Sequence, residues 1–140
     1  IPCLIDLGVR PHGAGHPLKT YQLSGLSQLH AEVSAATGDF STFSNTYALR
    51  ENAAIEFLSL DTSARVRSDA NPQELLQHEW VISGEIQAQA GSKYPATESL
   101  LDSEALGLVF ITAPTNAELA EHSITLRKQF ASMMEVTENA

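Results

Sequence analysis

The sequence predicts an α+β fold in which a strand, a loop and a helix precede a small, mainly antiparallel sheet with two helices. Three observations favour it: an apolar run at the start, strand-like alternation in the second half, and two segments that begin with good N-cap residues. A length of 140 residues suits one domain, or one small domain and part of a second. We place the boundary near Ser44, which separates residues 1–44 from residues 45–140.

The front of the chain predicts a buried strand, a loop and a helix. Residues Ile1 to Val9 are mainly apolar, as in a strand covered on both faces. The glycine- and proline-rich stretch Arg10 to Pro17 then predicts an irregular loop. Apolar residues at three- and four-residue spacing predict a helix that ends at Gly38: Leu26, Leu29, Val33 and Ala36.

Four segments of the second part predict strands. The apolar run Ala53 to Leu58 and the run Arg65 to Arg67 flank a turn-like segment, which predicts a hairpin. Between Trp80 and Ala90 apolar and polar residues alternate, with Gly84 as the expected site of a bulge in a half-buried antiparallel strand. Leu106 to Thr112 predicts the last strand.

Two segments predict helices by the chemistry of their first turns. Asn71, Pro72 and Glu74 supply an N-cap, a first-turn proline and an acid, which predicts a short helix through Gln77. Further on, the sequence from Thr115 to Glu118 has the pattern of a capping box. The helix that it opens should bury one stripe of side chains: Leu119, Leu126, Phe130 and Met133.

The charge of the chain argues against two classes of partner. Eight basic and 17 acidic residues give a formal charge of −9, which disfavours nucleic acid and anionic membranes. No apolar run approaches the roughly 18 residues that a membrane helix needs. Cys3 is the only cysteine, so no intramolecular disulfide can form. These features predict a cytoplasmic protein without nucleic-acid or membrane partners.

The densest set of chemically capable residues lies between positions 6 and 16. The Asp6 carboxylate offers the hard oxygen that Mg²⁺ prefers, and the Arg10 guanidinium can clamp a phosphoryl oxygen. Two imidazoles and two glycines, which allow close approach of the backbone, complete the set: His12, His16, Gly13 and Gly15. The simpler interpretation is an ordinary ion pair followed by a loop that only turns the chain.

The stretch from Ile5 to His16 resembles the last active-site strand and following loop of ATP-grasp enzymes. Members of that superfamily carry an acidic-x-Asn-x-Arg pattern, often followed by proline and a glycine-rich turn. The resemblance implies that Asp6 is a metal ligand and that Arg10 is the catalytic arginine that contacts phosphate. It also implies a substrate-binding loop made by His12, Gly13, Gly15 and His16. One departure from the pattern is Gly8, which stands where the asparagine ligand is usual.

The resemblance also implies a role for the whole chain. Residues 1–44 would form the last strand, loop and helix of an ATP-grasp domain, and residues 45–140 the small C-terminal subdomain of L-amino acid ligase-like proteins. Such enzymes use ATP and Mg²⁺ to join a small-molecule carboxylate to an amine through an acyl phosphate. The nucleotide-binding lysines and the mobile glycine-rich loop would lie upstream of Ile1, so the 140 residues alone would be inactive.

Other features leave alternatives open. A stand-alone, non-catalytic α+β domain that mediates subunit contacts, for example in a homodimer, would use its sheet face or its final helix. His30 is expected beside the apolar stripe of its helix, and His78 and His122 on the surface. Arg65 and Arg67 share one strand face, which suits either an anion or plain solvation.

Overall fold

The computed structural model describes residues 15–41 and 49–136, and it is a mixed α+β structure. The chain divides into two compact units, Ile1–Arg50 and Glu51–Ala140. The coarse fold class predicted from the sequence is therefore confirmed. No helix within the described ranges combines the length and the apolar character needed to cross a membrane.

The first unit contains two helices among its described residues, α1 (His16–Ser24) and α2 (Gln28–Thr37). The prediction of a loop as far as Pro17 is wrong at its end, because His16 and Pro17 already belong to α1. Proline is tolerated in a first helical turn, where its missing N–H would have had no partner. Gly15 precedes the helix with a left-handed φ of 71°.

The predicted helix that ends at Gly38 is confirmed as α2. The Gly38 N–H donates to the Ser34 carbonyl at 2.8 Å, and Gly38 adopts the left-handed conformation that commonly ends a helix. Leu29 and Val33 of the predicted apolar stripe are exposed, at 49% and 62%. Helical periodicity therefore identified the element but not a buried face.

The second unit contains six strands, two α-helices and one 3₁₀ helix among its described residues. In chain order the elements are β1 (Asn52–Phe57), β2 (Ala64–Val66), the 3₁₀ helix (Pro72–Gln77), β3 (Val81–Ile86), β4 (Lys93–Tyr94), α3 (Leu100–Leu106), β5 (Gly107–Ala113), α4 (Asn116–Ser132) and β6 (Met134–Val136). The strands form two antiparallel sheets, with the orders β1-β5-β3 and β4-β2-β6.

The predicted hairpin of the first two strands is wrong. β1 pairs with β5, whereas β2 pairs with β4 and β6 in the other sheet. After β1 the chain is held instead by Thr97, whose Oγ1 accepts from the Leu60 N–H at 2.9 Å while its own N–H donates to the Leu60 carbonyl. Turn-like residues between two apolar runs predict a reversal of the chain, but they do not specify which strands pair.

The predicted antiparallel strand after Trp80 is confirmed as β3. Ile86 and Ala88 are buried as the alternation predicts, and Trp80 and Ile82 are half-buried. The irregularity in its pairing with β5 falls between Val81 and Ser83 rather than at Gly84.

Both predicted helix starts are confirmed. The Asn71 side chain accepts from the Gln73 N–H at 3.3 Å, although the short helix that follows is 3₁₀ rather than α. At Thr115 the capping box is complete, because Thr115 and Glu118 each accept from the other's backbone N–H. On α4 the predicted stripe faces inward, with Leu126, Phe130 and Met133 buried and Leu119 half-buried.

Helix α3 and the short strands β4 and β6 were not predicted. A second capping box opens α3, where Ser99 and Asp102 satisfy each other's backbone N–H groups. The hydrogen bonds from Ser99 and Glu98 hold the pKa of the Asp102 carboxyl below its usual range. This local pattern was present in the sequence, whereas strands as short as β4 and β6 have too few residues for a periodic signal.

Gly107 joins α3 to β5 in a conformation that other residues rarely adopt, with φ 127° and ψ 178°. A Cβ atom there would lie 2.9 Å from Ile86 Cα and would also clash with the Glu85 carbonyl. We expect Gly107→Ala to lower the free energy of unfolding by at least about 2 kcal/mol in urea titrations.

Gly91→Ala is the matched control for this prediction. Gly91 also has a positive φ, 77°, but nothing lies within 4 Å of the point that a Cβ atom would occupy there. Gly91→Ala should therefore lower the free energy of unfolding only by the cost of the left-handed conformation, about 1 kcal/mol. Equal losses in the two variants would contradict the close packing of β3 against Gly107.

Candidate functional site

The described residues contain only part of the site that the sequence predicts. Asp6, Arg10, His12 and Gly13 lie outside them. Gly15 is exposed immediately before α1, and His16 is the first residue of that helix, its side chain lying outside the described part of the structure. The predicted metal, catalytic and substrate-binding roles of these residues therefore stay predictions.

The second unit places a buried carboxylate beneath α4. Glu56 of β1 is only 6% exposed, yet both of its carboxylate oxygens have partners. The Ser123 hydroxyl donates to Oε1, and the Arg127 Nε donates to Oε2 at 2.8 Å. Arg127 Nη2 also lies 2.7 Å from Oε2. The cluster therefore joins the edge strand β1 to α4 by charge-assisted hydrogen bonds.

Two periodicities bring this cluster together. On β1, Glu56 lies on the same face as Leu58, which is also buried, because alternate residues of a strand share a face. On α4, Ser123 and Arg127 are four residues apart and lie on one side of the helix. Arg127 keeps its side chain 69% exposed, so the guanidinium extends over the carboxylate from the solvent side. A buried carboxylate without these donors would be costly.

A cavity of about 260 Å³ lies beside the Glu56–Arg127 pair, and we call it the β1–α4 cavity. It is formed by the end of β1, the residues that follow it, and the second half of α4. Its lining residues are Glu56, Phe57, Leu58, Ser59, Asp61, Leu126, Arg127, Phe130 and Ala131. The walls thus combine apolar side chains with charged groups, as in many small-molecule sites.

Three aromatic rings stack beside the other flank of α4. Trp80 stacks with two imidazoles, with ring centroids 4.3 Å from His78 and 4.5 Å from His122, and with nearly parallel planes. His78 Nε2 donates to Gln129 Oε1 at 2.7 Å, and His122 Nδ1 donates to the Thr112 carbonyl at 3.1 Å. Each imidazole therefore has one nitrogen fixed by a hydrogen bond.

The sequence did not predict this stack. His78 and His122 were expected on the surface, but both are half-buried against Trp80. His78 and Trp80 are two residues apart in the turn that precedes β3, where the Val81 N–H donates to the His78 carbonyl. Nothing local predicts that His122, on a distant helix, also stacks on the indole.

The first unit has a shallower feature on α2. His30 hydrogen-bonds the Ser27 hydroxyl at 2.9 Å and stacks on Tyr21 with centroids 5.0 Å apart. A groove of about 270 Å³ runs along this helix, lined by Leu29, His30, Val33, Ser34, Thr37 and Asp39. Its lining is mainly apolar, so it offers little that would orient a polar ligand.

The two arginines of the β2 region differ in their surroundings. Arg67 forms a two-point ion pair with Asp69, with Nε and Nη2 at 3.0 and 2.9 Å from the carboxylate oxygens. This pairing lowers the pKa of Asp69 and raises that of Arg67. Arg65 is exposed. Because Arg67 already binds a carboxylate, the pair is not an open anion site.

Comparisons with known proteins add no assignment. No protein-family model, curated protein or solved structure matches this chain. Within residues 15–41 and 49–136, no group of three or more histidine, cysteine or acidic side chains could hold a metal ion. A function can therefore be inferred only from the residues themselves.

The Glu56–Arg127 interaction should be measurable by a double-mutant cycle. Arg127→Met removes the charged donors from a buried carboxylate, and we expect it to lower the unfolding free energy by about 1–2 kcal/mol. In the Glu56→Gln background the same change should cost at least about 1 kcal/mol less. Urea unfolding of the four proteins provides the measurement.

Lys128→Met is the control for this cycle, since Lys128 is the next residue on α4 and is exposed. It should leave stability within about 0.5 kcal/mol of the parent protein. Additive effects of the Glu56 and Arg127 substitutions would contradict an energetic role for the pair.

The histidine–tryptophan stack should determine the fluorescence of Trp80, the only tryptophan of the chain. His78 and His122 both stack on the indole and shield it from water. His78→Gln and His122→Gln should therefore each expose more of the indole and shift its emission maximum to longer wavelength.

His30→Gln is the matched control, because His30 stacks on a tyrosine in the other unit. It should leave the emission maximum of Trp80 unaltered. An emission maximum that survives the loss of both His78 and His122 would contradict the stacked arrangement.

Proposed function

We propose that this chain is the C-terminal part of an ATP-dependent carboxylate–amine ligase of the ATP-grasp superfamily. The observation that carries the proposal is the sequence Asp6 to Arg10, followed by Pro11 and a glycine-rich turn, at the end of an apolar run. Side chains alternate between the two faces of a strand, so residues 6 and 10 of a strand would lie on the same face. The acid and the arginine would then extend toward a common ligand.

Each residue of the motif has a role under this proposal. Asp6 would hold Mg²⁺ through its carboxylate, and Arg10 would bind the phosphoryl or acyl-phosphate oxygens. His12, Gly13, Gly15 and His16 would line the pocket of the acceptor substrate. When bound, ATP and Mg²⁺ would supply the phosphoryl group that activates the carboxylate. Preorganised positive charge near that group is the main contribution that such residues make to the rate.

Two structural features support the proposal in a general way. The helix α1 begins at His16, so a regular element begins at the end of the predicted glycine-rich segment and would anchor it. The residues from Glu51 onward form a compact α+β unit separate from the preceding segment. This organisation is compatible with a small subdomain that follows a catalytic domain.

The test uses the complete gene product, assayed for Mg²⁺-dependent ADP release with mixtures of amino acids as carboxylate and amine donors. Asp6→Asn and Arg10→Ala should each lower turnover by at least about 100-fold, because the first weakens the binding of Mg²⁺ and the second removes a positive charge beside the developing phosphoryl centre. Asp69→Asn and Arg65→Ala are the matched controls, since both residues are exposed in the second unit. They should retain the parental rate.

Two outcomes would contradict the ligase proposal. Full turnover in both Asp6→Asn and Arg10→Ala would remove the motif from the active site. Absence of any nucleotide-dependent activity would instead favour the non-catalytic interaction domain. Sedimentation equilibrium of the same protein would then show whether it forms a homodimer.

A further inference from the structure

The β1–α4 cavity has the size and lining of a small ligand site. At about 260 Å³ it could contain roughly nine non-hydrogen atoms, given a liquid volume near 30 Å³ for one water molecule. Leu58, Leu126 and Phe130 supply buried apolar surface to its walls. An apolar group that replaces water there would gain free energy in proportion to the area that it covers.

The charges around the cavity do not balance. Glu56 is matched by Arg127, and both of its oxygens already accept hydrogen bonds. Asp61 is exposed and lines the same cavity, and no hydrogen bond or ion pair joins it to the described residues. The lining therefore carries two negative charges and one positive charge. The uncompensated carboxylate is that of Asp61.

From this lining we propose that the β1–α4 cavity binds a small primary amine with an apolar body. The ammonium group would donate to the Asp61 carboxylate and to the Ser59 hydroxyl, both of which line the cavity. The hydrocarbon part would pack on Leu58, Leu126 and Phe130. The Glu56–Arg127 pair would hold β1 and α4 in place as the two walls. This site is independent of the proposed ligase function.

Other ligand classes fit this lining less well. An organic carboxylate would meet Asp61, while Arg127 already uses two of its donor nitrogens on Glu56. A divalent metal ion requires several oxygen ligands, and the Glu56 oxygens, which already accept hydrogen bonds, add little to Asp61. A neutral alcohol would use the apolar walls but would gain nothing from the charge.

The experiment is an NMR titration of the uniformly ¹⁵N-labelled chain with 2-phenylethylamine, 2-phenylethanol and 3-phenylpropionate. These probes share a similar apolar body and differ in charge. The amine should bind with a dissociation constant in the millimolar range and shift amide signals of residues 58–61 and 126–131. The alcohol and the acid should bind at least about fivefold more weakly.

Two substitutions test the contribution of the Asp61 charge and that of the cavity space separately. Asp61→Asn should weaken amine binding about fivefold and remove the preference over the alcohol, while Asp69→Asn, at an exposed residue outside the cavity, should not change it. Ala131→Phe should fill part of the space and weaken all three probes. A dispersed amide spectrum in each variant shows that the fold is kept.

Three results would overturn the proposal. One is no saturable shift with the amine up to about 20 mM, which corresponds to an interaction too weak for a specific site. The second is equal binding of amine and alcohol by the parent chain. The third is an unchanged amine affinity in both Asp61→Asn and Ala131→Phe. None of these results depends on ATP or on Asp6 and Arg10, so they leave the ligase proposal unaffected.

Discussion

The second unit depends on the burial of β5 between two antiparallel neighbours. Every residue of Gly107–Ala113 except Leu108 is buried, and the strand pairs with β1 on one side and β3 on the other. Because β5 supplies the backbone hydrogen bonds of both neighbours, it fixes their register. The capping box at Thr115 then starts α4 within two residues of the strand end, which returns the helix over the sheet.

The position of α4 explains why polar groups collect beneath it. A helix that covers three strands buries its central stripe on the middle strand, and its two flanks reach over the edge strands. On one flank Ser123 and Arg127 meet Glu56, and on the other His122 and Gln129 meet Trp80 and His78. Each flank provides partners for polar groups that would otherwise be buried without them.

Local chemistry predicted several elements from neighbouring residues alone, although the capping box of α3 was missed. The capping box at Thr115, the N-cap at Asn71 and the end of α2 at Gly38 could all be predicted, since each depends on neighbouring residues. Strand pairing could not, because the choice of partner for β1 depends on residues some 50 positions away. The Glu56 and Trp80 clusters were missed for the same reason, since their members meet only through the tertiary packing of α4. The predicted site at Asp6 and Arg10 lies outside the described residues.

The second sheet has a consequence for the order in which the chain can fold. β2 pairs with β6, so Ala64 meets Val136, and its other neighbour, β4, has only two residues. During synthesis on the ribosome, β2 must therefore wait for some 70 further residues before its main partner emerges. Contacts of such large sequence separation slow folding. A nascent chain halted within α4 would expose the strand to intermolecular pairing.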